Sequence, residues 1–291
     1  MTPFAVLLVL SAAVAHAGWN VLAHGVSRIG LPFLWLGAVS SVVVWVGVVP
    51  FTGGLGTGSP TDLLSGVVVS GLLHVAYMLV LQRGYRVGQL STVYVTARGT
   101  GPTISVVLAV TLLGERPSWW ALAGGALVLV GVVAVGLADR GATRSEVRRP
   151  RRRIDPGIVA GLLTGVAIAA YTVWDAHVVR GGAAPVAFMV GCTLVEVVCF
   201  GIALGPRRRD VLPVLRAHWG RVLAFGVLSP LSYILVLLAV TIAPVALVAP
   251  MREVSVVLVS VFGALVLREG RAATRIGASV VVLAGIALLA V

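Results

Sequence analysis

Lysine does not occur in this chain of 291 residues, and only ten of its residues are acidic. Charged residues of all kinds make up 11% against 59% hydrophobic, whereas a soluble domain is about half apolar and about a quarter charged. So little charge, with a mean hydropathy of +1.06, excludes a water-soluble fold and makes this an integral membrane protein. The two cysteines, Cys192 and Cys199, lie seven residues apart in one apolar run. Along a helix that is too far for a disulfide, so both read as packing residues. Also missing are an HExxH metal helix, a GxSxG nucleophile elbow and a glycine-rich phosphate loop followed by lysine and serine or threonine. The histidines are scattered over separate segments with no close-spaced carboxylate pair, so neither a metal nor a cofactor is expected.

What charge there is comes mostly from arginine and gives a net +12. In a soluble protein that balance would suggest nucleic acid. Here the arginines cluster between apolar runs, so the expected partner is the lipid bilayer and its anionic cytoplasmic leaflet, not nucleic acid. Runs of about twenty apolar residues predict helices over 3–23, 31–51, 63–82, 90–113 and 119–137, and again over 157–179, 185–204, 219–240, 245–267 and 274–290. No stretch remains for a soluble ATPase or DNA-binding module. The first apolar run ends in Ala15, His16 and Ala17, in the manner of a signal-peptide cleavage site. No basic residue precedes it, however, and Trp19–Asn20 answers to Trp174–Asp175 further on, so it reads as the first helix of a repeat.

The repeat is visible in the charges. Arg98 and Glu115 are seventeen residues apart, Arg252 and Glu269 are seventeen apart, and the offset of 154 also carries Gly131 onto Gly285. This predicts an all-α integral membrane protein of ten transmembrane helices, built as two five-helix repeats over 1–138 and 156–291 with an arginine-rich connection over 139–155. Because five is odd, the second repeat is inverted in the bilayer. Placing odd-numbered connections on one side collects Arg28, Arg83, Arg86, seven arginines from Arg140 to Arg153, five from Arg207 to Arg221, and Arg268, Arg271 and Arg275; Arg116 and Arg180 fall on the other. The positive-inside rule then puts the basic loops in the cytoplasm and both termini outside.

With its duplicated five-helix unit, the AHAGWN stretch in helix one, the LLGERPSWW turn after helix four and LREG after helix nine, the chain resembles the ten-helix EamA-type members of the drug/metabolite transporter superfamily over its whole length. It departs from a strict copy in one place, where glycine precedes Glu115 but Arg268 precedes Glu269. The resemblance implies a secondary carrier for small metabolites in the plasma membrane, the inner membrane of a bacterium, and commonly an exporter. Members of the superfamily are often given cytoplasmic termini, opposite to the arginine count here.

Arg98 lies about seven residues into helix four and is followed by Gly99, Gly101 and Pro102; Pro250 precedes Arg252 in helix nine. Proline removes a backbone donor and crowds the carbonyl four residues earlier, while glycine permits irregular backbone. Interrupted helices at matching positions of two repeats point to a binding site, so Arg98 and Arg252 are the leading substrate-binding candidates. An arginine sunk in hydrocarbon needs an anion from protein or solute. Glu253 and Glu196 are the candidate counter-ions, and both are also candidates for proton coupling. Asp175 lies nearer a helix end and reads as a local polar group. His16 with Asn20, four apart, and His74 with Tyr77, three apart, each share a helix face. Tyr233 falls opposite Tyr77 when PLSYILVL is laid beside HVAYMLVL, and Trp19, Tyr77 and Tyr233 offer flat apolar contacts to a solute.

Gly161 and Gly165 form a small-xxx-small face for close helix approach, and Trp119, Trp120 and Trp219 read as interfacial anchors. Glu115 and Glu269 are expected to organise turns with neighbouring arginines. Two arginines favour a carboxylate-bearing solute such as an amino acid or organic acid, carried by alternating access with a proton or solute gradient. Two alternatives stand beside this: an exporter of cationic or amphipathic drugs in which the arginines are internal counter-ions, and an intramembrane enzyme acting on lipid-linked substrates. Whether two copies pair as a homodimer is not written in the sequence.

Overall fold

The computed structural model describes residues 1–23, 26, 29–88, 90–140, 156–258 and 272–290. The arginine-rich connection beyond Arg140, the end of the predicted ninth helix, and Arg268, Glu269 and Arg271 lie outside them. The described backbone is helical: α1 Pro3–Ala23, α2 Leu31–Val46, α3 Pro60–Val87, α4 Leu90–Leu112, α5 Trp119–Arg140, α6 Pro156–Arg180, α7 Pro185–Leu204, α8 Val211–Ile242, α9 Val245–Arg252 and α10 Ala272–Ala290. Proline opens α1, α3, α6 and α7, where its missing N–H would have no helical partner in any case. Among the described residues, five segments are long and apolar enough to cross a membrane, and three shorter apolar helices accompany them. This is an all-α integral membrane protein.

The helices gather into two compact units, and neither is one sequence repeat. The first unit contains Met1–Leu10, Ala76–Val173 and Ala243–Val291; the second contains Ser11–Val75 and Trp174–Ile242. In the first, α5 packs chiefly against α10, and α4 packs against α5 and α9. In the second, α2 lies against α7 and α8, around a core of Val26, Phe33, Leu36 and Val222 joined by Trp19, Trp35 and Phe225. Indole N–H groups tie this unit together: Trp35 donates to the Val197 carbonyl at 3.1 Å, Trp45 to Gly226 at 3.2 Å and Trp174 to Gly66 at 3.1 Å. Each places a donor that would otherwise be stranded in an apolar environment onto a helix carbonyl.

Small residues set the closest approaches. Gly161 lies where a Cβ would press on Thr96 and the Val93 carbonyl, and Gly165 where it would press on Thr100 and the Gly101 nitrogen. The face read from the sequence is therefore the seam between α6 and α4. The loop after Phe51 docks on the α6–α7 turn, where the Thr57 N–H donates to the Gly182 carbonyl at 2.9 Å. Gly182 holds φ at 102° and Gly56 at 97°, a region that side chains rarely adopt.

Two local expectations change and one holds. The interruption anticipated at Pro102 is absent, for α4 runs through it. Ile168 lies against Gly101 and Thr100 fits against Gly165, so packing on α6 holds the helical path even though one internal N–H bond is lost. At Pro250 the break does occur. α9 ends at Arg252, the Glu253 N–H turns back to the Pro250 carbonyl at 3.0 Å, and helical backbone resumes at Val254. The basic segment expected as a loop over 206–221 is instead a 3-10 helix, Gly205–Asp210, followed by the first turns of α8, which kink at His218 (φ −134°).

Candidate functional site: a buried ion pair among tyrosines

In the first unit the two repeats contribute one charge each to a buried pair. Arg98, on α4, is 8% exposed, and Glu253, in the turn after α9, is 0% exposed. Nη1 of Arg98 donates to Oε1 of Glu253 at 3.3 Å and to Oε2 at 3.4 Å. Both carboxylate oxygens thus meet a single guanidinium nitrogen, so the contact is not the parallel two-bond fork that arginine makes with a well-aligned carboxylate. Tyr94 lies one turn before Arg98 on the same helix, and its ring centroid is 5.3 Å from the guanidinium carbon, an arrangement in which the ring face attracts the cation.

More tyrosines close around the pair. The rings of Tyr77 and Tyr171 meet edge to face at 5.7 Å. Tyr77 lies within electrostatic reach of both Arg98 and Arg252, and Tyr85 within reach of Tyr77, Tyr94 and Arg98. Arg252 ends α9 and is 9% exposed. Four phenols and two guanidiniums therefore gather in one helical unit, with Glu253 as the carboxylate bound to Arg98. Of the sequence candidates, Arg98, Arg252, Tyr77 and Glu253 come together here. Tyr85, Tyr94 and Tyr171 were not anticipated, although Tyr94 stands four residues before Arg98, the spacing that puts two side chains on one helix face.

Glu115 holds the far end of this arrangement. Its Oε1 accepts the Val245 N–H at 2.8 Å and its Oε2 the Ala246 N–H at 2.9 Å. These are the first N–H groups of α9, which have no partner inside the helix and carry the positive end of its dipole. The turn-organising role expected of Glu115 is thus an N-terminal cap on the helix that carries Arg252. Glu115→Gln keeps the size but removes the charge and one acceptor, and is expected to lower stability by about 1 kcal/mol. Unfolding of the purified protein in detergent measures it; an unchanged midpoint would sink the capping role. Its repeat partner Glu269 lies outside the described residues.

The other sequence candidates belong to the second unit. The Tyr233 hydroxyl donates to Oδ2 of Asp175, and the Tyr233 ring meets His74 edge to face at 5.4 Å. Nδ1 of His74 lies 3.0 Å from the Ser70 carbonyl and 3.3 Å from the Ser70 hydroxyl. Trp19 packs edge to face on His16 at 5.0 Å and on Phe225 at 5.2 Å, as part of the aromatic core of that unit. Asn20 donates its amide to the His16 carbonyl at 2.7 Å, one turn back along its own helix. Glu196 is half-buried on α7.

Comparison with known proteins adds a family. The model described as the EamA-like transporter family matches residues 3–137 and, separately, 155–291. No curated protein matches the sequence. Among 29 matching solved chains, one crystal structure superposes with a TM-score of 0.77 at 17% identity, covering 99% of this chain and 96% of its own. At that identity the likeness establishes a shared fold.

Proposed function

The chain belongs to the EamA-like transporter family, a family of membrane carriers for small solutes, and from that premise we propose that it is a secondary exporter of carboxylate-bearing metabolites. The setting is the plasma membrane of a bacterium, and the mechanism is alternating access. The observation that carries the substrate class is the Arg98–Glu253 contact among tyrosines. A buried arginine left bare costs several kcal/mol. Exchange of Glu253 for a solute carboxylate keeps Arg98 paired throughout, and the incoming group can take up the fork geometry that Glu253 does not. Arg252 adds a second positive charge, and the phenols of Tyr77 and Tyr94 supply hydrogen bonds and flat faces to the rest of the solute.

Release of Glu253 gives binding a mechanical consequence. Glu253 sits at the break between α9 and the helical backbone that resumes at Val254, so its side chain and the bend move together. A solute that takes its place on Arg98 loosens one arrangement of this bend and favours another, which is the differential interaction that a conformational change requires.

Uptake of labelled amino acids, organic acids and organic cations into proteoliposomes of the purified protein tests this. Saturable movement of a carboxylate is expected, reduced by about 100-fold or more in Arg98→Gln, as for removal of a buried charged partner. Selective movement of an organic cation that survives Arg98→Gln would transfer the solute to the tyrosine faces and Glu253. A chemically altered product would indicate an enzyme.

A further inference from the structure

A second buried polar cluster lies in the other unit, and the carboxylate reading does not use it. Its centre is Asp175 of α6, 0% exposed and five residues, ~7.5 Å, before the end of the helix at Arg180. Elements around it bring titratable or hydrogen-bonding groups. Tyr233 of α8 donates to Oδ2 of Asp175. His74 of α3 meets the Tyr233 ring. Cys192 of α7 interacts electrostatically with Asp175 and with Glu196 on its own helix. Arg180 donates its Nε–H to the Val240 carbonyl at 2.8 Å, which fastens the end of α6 to α8 about two turns beyond Tyr233.

The histidine tautomer follows from its neighbour. A backbone carbonyl only accepts, so Nδ1 of His74, 3.0 Å from the Ser70 carbonyl, carries the hydrogen, and Nε2 is the position that gains or loses a proton. The cluster thus combines a buried carboxyl, a phenol bonded to it and an imidazole with a defined exchangeable nitrogen. Beside it in sequence, Trp174, His177 and Val178 line a cavity of about 240 Å³ together with Ser59 and Asp62. At about 30 Å³ per water, that is room for several molecules next to the helix turn that carries Asp175.

We infer that Asp175, with Tyr233 and His74, is the proton-coupling site of the carrier, separate from the pair that takes the solute. This rests on the transporter reading above. Uptake of one proton turns the Asp175 carboxylate into the acid; the bond to Tyr233 then reverses, with the acid donating to the phenol oxygen, and release of the proton restores the first arrangement. The two arrangements differ in what α6 offers α8, so proton binding favours one disposition of these helices over the other. Ionisable groups held inside membrane helices commonly mark such relays.

The experiment separates coupling from transport. In proteoliposomes, Asp175→Asn is expected to keep solute-for-solute exchange within about two-fold of the original protein and to lose about ten-fold or more of the uptake driven by an inward proton gradient. Asp175→Glu, which restores a titratable carboxyl, recovers part of the driven uptake. Gradient-driven accumulation that persists in Asp175→Asn overturns the inference. So does equal loss of exchange and driven uptake in an Asp175→Asn protein that still purifies as a single species, because that would make Asp175 a solute or structural group. If the unaltered protein moves no solute, the transporter reading fails first, and labelling with dicyclohexylcarbodiimide decides the site by itself. The reagent adds to a protonated carboxyl and leaves an N-acylurea, so the expected result is modification of the Asp175 peptide that falls as the pH rises and disappears in Asp175→Asn. Absence of pH-dependent labelling at that peptide overturns the assignment.

Discussion

Glu253→Gln is expected to destabilise the protein by about 3–5 kcal/mol, the cost of leaving a buried charge without its partner. The magnitude follows from burial: Arg98 and Glu253 are both almost inaccessible, and the guanidinium cannot lose its proton to escape the penalty. Glutamine still offers an oxygen to Nη1 of Arg98, yet it brings no negative charge to a low-dielectric setting. The double replacement Arg98→Gln with Glu253→Gln removes both charges and is expected to regain more than half of the loss, since a neutral pair can bond across the same gap. Chemical denaturation of the four proteins in detergent, read as a double-mutant cycle, checks this. A double change that costs the sum of the two single changes would mean that the contact at 3.3 Å contributes nothing to holding the fold.

The second large effect comes from two glycines where α5 and α10 meet. A Cβ on Gly124 would stand 2.7 Å from the Gly285 carbonyl oxygen and 2.9 Å from both the Leu288 Cβ and the Leu289 nitrogen of α10, and one on Gly285 would stand 2.7 Å from the Gly124 oxygen and 2.8 Å from the Val128 nitrogen. These obstacles include backbone, which has no rotamer to yield, so α5 and α10 must move apart. Helices in lipid are held by close packing rather than by exclusion from water, and separation forfeits those contacts. Gly124→Val is expected to lower stability by about 2–3 kcal/mol, at the upper end of overpacking costs, and Gly124→Ala by less with the same sign. Gly277, also on α10, meets nothing within 4 Å; Gly277→Ala therefore serves as the control and is expected to be neutral or stabilising by up to about 1 kcal/mol. Equal behaviour of the two alanine variants would show that the glycine crossing does not hold α5 to α10.

Much of this architecture was legible along the chain because a bilayer leaves few choices. Backbone groups in hydrocarbon must bond within a helix, so apolar runs located the helices, and the 154-residue offset exposed the duplication that the family match over 3–137 and 155–291 repeats. The small-residue face of Gly161 and Gly165 was readable for the same reason, since only small side chains allow backbones that close. The need of Arg98 for an anion was also plain from its surroundings, with Glu253 one of two carboxylates that could supply it.

Which carboxylate it was, only the tertiary structure decided. Helical periodicity orders residues around one axis but does not say how that axis is rotated toward its neighbours, and so cannot choose between Glu253 and Glu196. The bonds from Val245 and Ala246 to Glu115 and from Tyr233 to Asp175 join residues 58 or more positions apart, and no local pattern encodes them. The same holds for the compact units, each assembled from parts of both repeats. Composition and spacing determined that this chain is a duplicated helical membrane protein with charges sunk in its helices. The partners of those charges were set by helix rotation and contact between distant segments, because in a low dielectric each buried charge is satisfied by whichever opposite group the packing brings within reach.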